Sequence, residues 1–159
     1  MIGLIISIIL FNIIAFKTNK NLTPNQIIHI WLFTIVFQQT FDIFVDLKFG
    51  GYWYFTKDID WEGLPAHLAL IPPVNMMFLN WYPFKSTITQ KVRYFSFWII
   101  GILLYEIIVL LPEPWGYFSY GWWKFCYSVV SNPILFLILL VYYRWICKLE
   151  KKSFSRINI

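Results

Sequence analysis

The segment PAHLALIPPVNMMFLNWYPFK runs from Pro65 to Lys85. Most of it is as apolar as a membrane span, yet Pro72 and Pro73 stand near its centre and Asn75 follows them. A helix in lipid must satisfy its own backbone, because no water is present to replace a lost hydrogen bond. The way this segment folds therefore decides what kind of membrane protein the chain forms.

The proline pair deprives the carbonyls of Leu68 and Ala69 of their usual helical donors, because proline has no amide proton. We expect a kink near these prolines, with Asn75, other side chains or water in place of the lost bonds. Pro133 predicts a similar bend in a later helix. Broken helices mark binding sites in many transporters, but proline is also common in membrane helices as a fixed kink. The pattern leaves both interpretations open.

The composition favours a membrane protein. Of the 159 residues, 59% are hydrophobic and 13% are charged, and the mean hydropathy is +0.62. A soluble domain has about 25% charged residues, and so small a chain cannot hide this much apolar surface from water. We predict an all-α integral membrane bundle that forms a single transmembrane domain over residues 1–159. The net charge of +5 is attributed to membrane topology and lipid phosphates, not to nucleic acid.

Apolar runs of about 20 residues predict five transmembrane helices. Capping boxes that start at Thr23 and Thr87 predict the starts of the second and fourth helices, and Pro83 is predicted to end the third. The predicted spans cover residues 2–16, 24–46, 65–84, 92–111 and 125–147.

The basic residues fall unevenly on the two sides of such a bundle. Of the 13 Lys and Arg residues, only Lys48, Lys57 and Lys124 are predicted on one side, and the other ten on the opposite side. Because Lys and Arg collect on the cytoplasmic side of a membrane, this predicts the N-terminus outside and the C-terminus in the cytoplasm. The first span is expected to remain uncleaved, because Lys17 and Lys20 follow its apolar run.

The second span carries a polar stripe. Thr34, Gln38, Asp42 and Asp46 recur every four residues, so they lie on one face of a helix. This face suits a protein interior, and Asp42 is expected to be paired, protonated or hydrated because a buried carboxylate is costly. The opposite arc is predicted to face lipid and contains Ile30, Phe33, Phe37, Phe41 and Phe44.

Further polar residues are predicted at the same depth, near the outer face of the membrane. Glu106 and His67 lie near the outer ends of their spans, and Lys124 begins the fifth. We expect them to converge with Asp42 and Asp46. Such a cluster either binds a proton, cation or solute, or consists of hydrogen bonds that hold the helices together.

Other motifs are weak. The acidic pair Asp42–Asp46 matches membrane prenyltransferases only superficially, and the run from Asp58 to Glu62 lacks the central Gly of a calcium loop. Ser128 has no acid–base partner that the sequence reveals. Cys126 and Cys147 are about 31 Å apart on one helix and cannot form a disulfide. The aromatic residues of the loops are interpreted as interfacial anchors rather than as platforms that stack on a ligand.

Four aromatic-rich motifs lie within roughly residues 44–130. They are YWYF at 52–55, LIPPVNMMFLNWYPFK at 70–85, LYE at 104–106 and GYFSYGWWKFCYS at 116–128. Together they resemble a family of small multi-pass membrane proteins from spore-forming, low-GC Gram-positive bacteria. The resemblance implies a bacterial plasma membrane and about five helices, and it carries over no catalytic residue.

Two functions are compatible with these observations. The first is a non-enzymatic membrane protein, a scaffold, sensor or partner-binding protein with a polar pocket in its outer half. The alternative is a component that binds or transports a small solute, proton or cation with Asp42 and Glu106. The expected partners are the lipid bilayer and a protein or small solute. No catalytic motif, metal site or cofactor is predicted.

Overall fold

The computed structural model describes residues 1–57 and 61–157, and only the backbone of residues 154–157. In this part of the chain, two π-helical segments, Ile43–Lys48 and Ala66–Leu70, lie at helix ends, and a small sheet joins two loops. The helices are α1 (Ile2–Thr18), α2 (Pro24–Asp42), α3 (Ile71–Trp81), α4 (Ile88–Val109) and α5 (Phe125–Ile157), and the strands are β1 (Tyr52–Trp53) and β2 (Ser119–Tyr120).

Three helices are long and apolar enough to cross a membrane. They are α2 with its π-helical extension (Pro24–Lys48), α4, and the part of α5 from Phe125 to Ser153. The first helix is a shorter apolar helix, and α3 has 11 residues. The protein is thus a mostly helical chain that suits a membrane, as the composition indicates.

Local sequence signals place the helix ends. The Thr23 hydroxyl accepts a hydrogen bond from the Gln26 amide at 3.2 Å, and the Gln26 side chain accepts one from the Thr23 amide at 3.3 Å. Thr87 and Gln90 form the same reciprocal pair, so both predicted capping boxes are confirmed. The third helix ends at Trp81, ahead of Pro83, because the residue before a proline disfavours helical geometry.

The short helix α3 is the centre of the bundle. It packs against α1, α2 and α5, and its residues Met76 and Phe78 are completely buried. The Phe78 ring also contacts Trp98 of α4 and Phe136 of α5. Because protein surrounds α3, irregular backbone at its start is satisfied by neighbouring helices.

The proline pair in α3 follows the π-helical segment Ala66–Leu70. The side-chain amide of Asn12 on α1 donates to the carbonyl oxygen of Ala69 at 2.7 Å, so a neighbouring side chain replaces the donor that Pro73 lacks. Of the predicted replacements, a neighbouring side chain is thus confirmed. Asn75, the other side chain named, donates instead to the Thr34 hydroxyl of α2 at 2.9 Å. At Pro133, α5 continues as one α-helix.

The prediction that one arc of α2 faces lipid is wrong at most of its positions. Ile30 is buried, and three phenylalanines of that arc line an internal cavity. The exposed strip consists of Ile28, Leu32 and Val36, of which Val36 is 65% exposed. Because α2 contacts α3, α5 and the π-helical segments, the face that carries Ile30 and these phenylalanines is turned toward them. Phe44 is exposed, as the sequence predicts.

Two polar residues that sequence reasoning missed hold the end of the bundle opposite the sheet. The buried side chain of Asn80 accepts from the amides of Lys20 and Asn21, both at 3.1 Å, and donates to the Thr18 carbonyl at 2.8 Å. Glu150 on α5 accepts from the Gln26 side chain at 2.5 Å. These contacts fix the α1–α2 turn to α3 and the start of α2 to α5.

Candidate functional site

A cavity of about 240 Å³ lies between α2, α3, α4 and α5, beneath the two-stranded sheet. Along α2 its wall extends from Phe33 to Phe41, and along α5 from Ser128 to Leu139. At 1.5 Å per residue, these stretches correspond to about 12 and 16 Å. The cavity is therefore elongated along the bundle, with one end at the sheet.

The sheet end of the bundle depends on close backbone packing. Gly50 has φ +58°, a conformation that glycine adopts without strain. Gly121 lies so close to this turn that a Cβ atom there would be 2.2 Å from the Gly50 oxygen. The amides of Gly121 and Trp123 both donate to the Gly51 carbonyl, at 2.8 and 2.9 Å. The loops after α2 and α4 are thereby joined.

The sheet places one tyrosine beside each of two acids. Tyr52 and Tyr120 are directly paired across the strands. The Tyr52 hydroxyl donates to a carboxylate oxygen of Asp42, and the Tyr120 hydroxyl donates to one of Glu106. This cross-strand pair thus connects the end of α2 with the end of α4.

Asp42 is buried and fully surrounded by partners. Besides Tyr52, the Gln38 amide donates to both of its oxygens at 3.2 Å. His67 Nδ1 lies 2.7 Å from the second oxygen, a close electrostatic contact that lacks the alignment of a hydrogen bond. When His67 is protonated, the pair has no net charge. Asp42 lies behind Gln38 and Tyr52, and these two line the cavity.

Glu106 lines the cavity itself. The hydroxyls of Tyr120 and Ser128 both donate to one of its carboxylate oxygens, and an ionised carboxylate is the acceptor that suits two donors. Trp123 Nε1 donates to the Ser128 hydroxyl at 3.0 Å. The expectation that Ser128 lacks an acid–base partner is wrong. Among the described side chains of residues 1–57 and 61–153, Glu106 has no positively charged partner.

Burial and the acids keep the loop tyrosines protonated. Burial, followed by the nearby Asp42 charge, raises the pKa of both Tyr52 and Tyr54 well above 10. For the less buried Tyr120, desolvation and the Glu106 hydrogen bond raise the pKa in the same direction. These hydroxyls are therefore donors at neutral pH.

Aromatic rings form much of the wall near the sheet. The rings of Tyr54 and Tyr117 are stacked, with centroids 6.5 Å apart, and Tyr52 contacts Trp123 at 5.7 Å. All four residues line the cavity, and their role as interfacial anchors stays a prediction. Trp61, by contrast, is 77% exposed. Sequence alone does not separate these two groups, because both lie in aromatic-rich loops.

The far end of the cavity carries one polar pair among apolar side chains. Thr34 and Asn75, joined by their hydrogen bond, lie near the far limits of the wall on α2 and α3. Asn132 of α5 stands nearer to mid-length. The other side chains at the far end are aliphatic or aromatic and include Val74, Ile102, Phe136 and Leu139.

The structure divides the predicted cluster. Gln38, Asp42 and His67 lie together, and Glu106 occupies the opposite wall of the cavity. Asp46 is half-buried in a separate surface groove beside Lys48 and Lys57. Lys124 is exposed and does not line the cavity.

No metal centre is visible in the described part of the chain, where no three His, Cys, Asp or Glu side chains are placed to hold an ion. Asp58 and Asp60 of the rejected calcium loop lie outside the described residues. The described groups offer a carboxylate, amides, hydroxyls and aromatic faces to a bound molecule. A comparison of the chain with protein-family models, curated proteins and solved structures found no match.

Proposed function

We propose that the protein is a non-enzymatic, multi-pass protein of the bacterial plasma membrane that binds a small solute in the cavity beneath the sheet. The observation that carries this proposal is the cavity of about 240 Å³ with Glu106 on its wall. A helical bundle that served only as a scaffold would fill such a space, because protein interiors are close-packed.

The two acids have different roles in this proposal. Asp42 is compensated by Gln38, Tyr52 and His67, and it fixes the sheet to α2. Glu106 faces the cavity with hydroxyl partners alone, so it is the acid that meets the solute. This assignment favours the solute-binding alternative over a scaffold, and it gives one of the two acids a structural role.

A non-enzymatic role is supported by the positions of the histidines. Ser128 donates to Glu106, but a serine nucleophile usually requires a histidine base within hydrogen-bond reach. Of the two histidines, His67 contacts Asp42 and His29 lies at the opposite end of the bundle, beside Glu150.

We further propose five spans, with α1 and α3 as the first and third. In the described residues α1 is about 26 Å long and the helix from Ala66 to Trp81 about 24 Å, by rise per residue. The sheet end carries Lys48, Lys57 and Lys124, against ten basic residues on the opposite side. This asymmetry supports a sheet end outside the cell and a C-terminus in the cytoplasm.

Cysteine labelling tests the topology. In a Cys126→Ser, Cys147→Ser background, Glu113→Cys and Lys85→Cys are treated in whole cells with a membrane-impermeant maleimide. Both native side chains are exposed. We expect labelling of Glu113→Cys in intact cells and of Lys85→Cys only after permeabilisation. The reverse pattern contradicts the proposed orientation, and labelling of both in intact cells contradicts the number of spans.

A second labelling experiment tests the cavity. Ser131→Cys places a thiol on the cavity wall, whereas Leu140→Cys places one in the buried core of the same helix. In the same background, a small neutral thiol reagent should modify Ser131→Cys at least about tenfold faster, because thiol reactivity follows exposure. Equal rates for the two variants contradict a solute-accessible cavity.

A further inference from the structure

The charge of the cavity wall limits the solute that it accepts. In the described part of the chain, no Lys or Arg side chain lines the cavity, and the one histidine near it is committed to Asp42. Glu106 therefore leaves the wall with one uncompensated negative charge. A bound anion would lie near this negative charge and would find no positively charged partner. A neutral molecule would leave the Glu106 charge uncompensated in a site of low dielectric.

The aromatic wall also favours a positively charged solute. Tyr54, Tyr117, Phe118 and Trp123 line the cavity together with Glu106. Ring faces attract cations, most strongly where water is excluded, and quaternary ammonium groups are often held in such aromatic surroundings. A hard metal ion is disfavoured, because it requires several oxygen ligands and no three-residue ligand group is present among the described residues.

Size and polarity define the rest of the molecule. A cavity of about 240 Å³ has room for about eight groups of the size of water, at ~30 Å³ each. Glu106 and Tyr52 stand at one end, and the other end combines apolar side chains such as Leu139 with the hydrogen-bonded pair of Thr34 and Asn75. The shape suits a molecule of about eight to ten non-hydrogen atoms with a charged head and an apolar body.

We infer that the cavity binds a small organic cation, an alkyl- or arylalkylammonium, whose ammonium group pairs with Glu106 against the aromatic wall and whose apolar body extends toward Leu139. This inference rests on the proposed function of the cavity as a solute site. It assigns the sign of the charge, the size and the orientation of the solute.

Equilibrium binding to the purified full-length protein in mild detergent tests the inference. The probes are 2-phenylethylammonium, 2-phenylethanol and phenylacetate, which share a similar body and differ in charge. We expect the ammonium probe to bind at least about tenfold tighter than the alcohol, which corresponds to ~1.4 kcal/mol, and phenylacetate to bind weakest. Equal or tighter binding of the alcohol or of phenylacetate overturns the inference.

Variants of two glutamates test whether the ammonium group binds at Glu106. Glu106→Gln should lower the affinity for the ammonium probe about tenfold or more and leave the affinity for the alcohol unchanged. Glu113→Gln is the matched control, because Glu113 is exposed and does not line the cavity; it should leave all three affinities unchanged. An equal loss of ammonium binding in both variants overturns the role of Glu106.

The charge preference of the unmodified protein tests the inference even where Glu106→Gln does not fold. Absence of ammonium binding overturns the inference, and the labelling of Ser131→Cys then shows whether the proposed function falls with it. A labelled Ser131→Cys without ammonium binding means that the cavity accepts solutes of another class. An unlabelled Ser131→Cys removes both proposals.

Discussion

The side-chain amide of Asn12 donates a hydrogen bond to the main-chain oxygen of Ala69 at 2.7 Å. The two residues lie on different helices, and the bond satisfies the carbonyl that Pro73 leaves without its helical donor. An unpaired backbone carbonyl in an apolar interior costs free energy comparable to a lost hydrogen bond. The contact between α1 and α3 therefore compensates for a proline placed in the central helix.

Asn12→Leu should lower the free energy of unfolding by about 1–3 kcal/mol, because it leaves the Ala69 oxygen unsatisfied. Pro73→Ala restores an amide four residues after Ala69, so the double variant should recover part of this loss. Denaturation in detergent measures both, and Pro133→Ala on α5 is the control that should not rescue Asn12→Leu. Strictly additive effects of Asn12→Leu and Pro73→Ala contradict the proposed compensation.

Gly121→Ala should destabilise the sheet end, because its Cβ would lie 2.2 Å from the Gly50 carbonyl oxygen, a backbone atom. We expect a loss on the order of 1–3 kcal/mol, typical of overpacking. Gly101→Ala is the matched control, since nothing lies within 4 Å of its added Cβ on α4. It should be neutral or stabilising by about 0.5–1 kcal/mol, as is usual for Gly→Ala within a helix. Equal thermal stability of the two variants would refute the close packing of the sheet turn.

Alkaline pH should reduce the stability of the protein through its buried loop tyrosines. Burial and Asp42 raise the folded-state pKa of Tyr52 above 10, whereas the unfolded chain loses this proton near pH 10. Above pH 10 the folded state then binds more protons than the unfolded state. The free energy of unfolding therefore falls as pH rises, by about 1.4 kcal/mol per pH unit for each such group.

Tyr52→Phe isolates this effect. At neutral pH it should destabilise the protein by about 1.5–3 kcal/mol, because a hydrogen bond to a charged group is lost. Above pH 10 its stability should decline less steeply than that of the unmodified protein. Tyr127→Phe, at an exposed position, serves as the control. Parallel pH profiles for Tyr52→Phe and the unmodified protein would show that Tyr52 does not titrate as described.

Asn80→Leu should detach the α1–α2 turn from α3. It removes the acceptor of the Lys20 and Asn21 amides and the donor to the Thr18 carbonyl. We expect a loss of about 2–4 kcal/mol, with several bonds lost at one site. Hydrogen exchange of the Lys20 and Asn21 amides should accelerate while exchange at the sheet end stays constant. Unchanged exchange at these two amides would contradict the contact.

Features that depend on near neighbours in the chain follow directly from the sequence. The capping boxes at Thr23 and Thr87 form as predicted, because their partners are three residues away on the same helix turn. Pro83 fixes the end of α3 through its own ring. The four-residue spacing on α2 also places Thr34 and Asp42 among the buried residues and Gln38 on the cavity wall, since helix geometry fixes that alignment.

The partners that these residues meet depend on how distant parts of the chain pack together. The Tyr52 and Tyr120 hydroxyls reach Asp42 and Glu106 because two distant loops pair as strands, and Asp46 lies in a separate surface groove. Ile30 and the phenylalanines of α2 turn inward because α3 and α5 pack beside them. Periodicity defines the faces of a helix, but the packing of the other helices decides how much of its surface is enclosed.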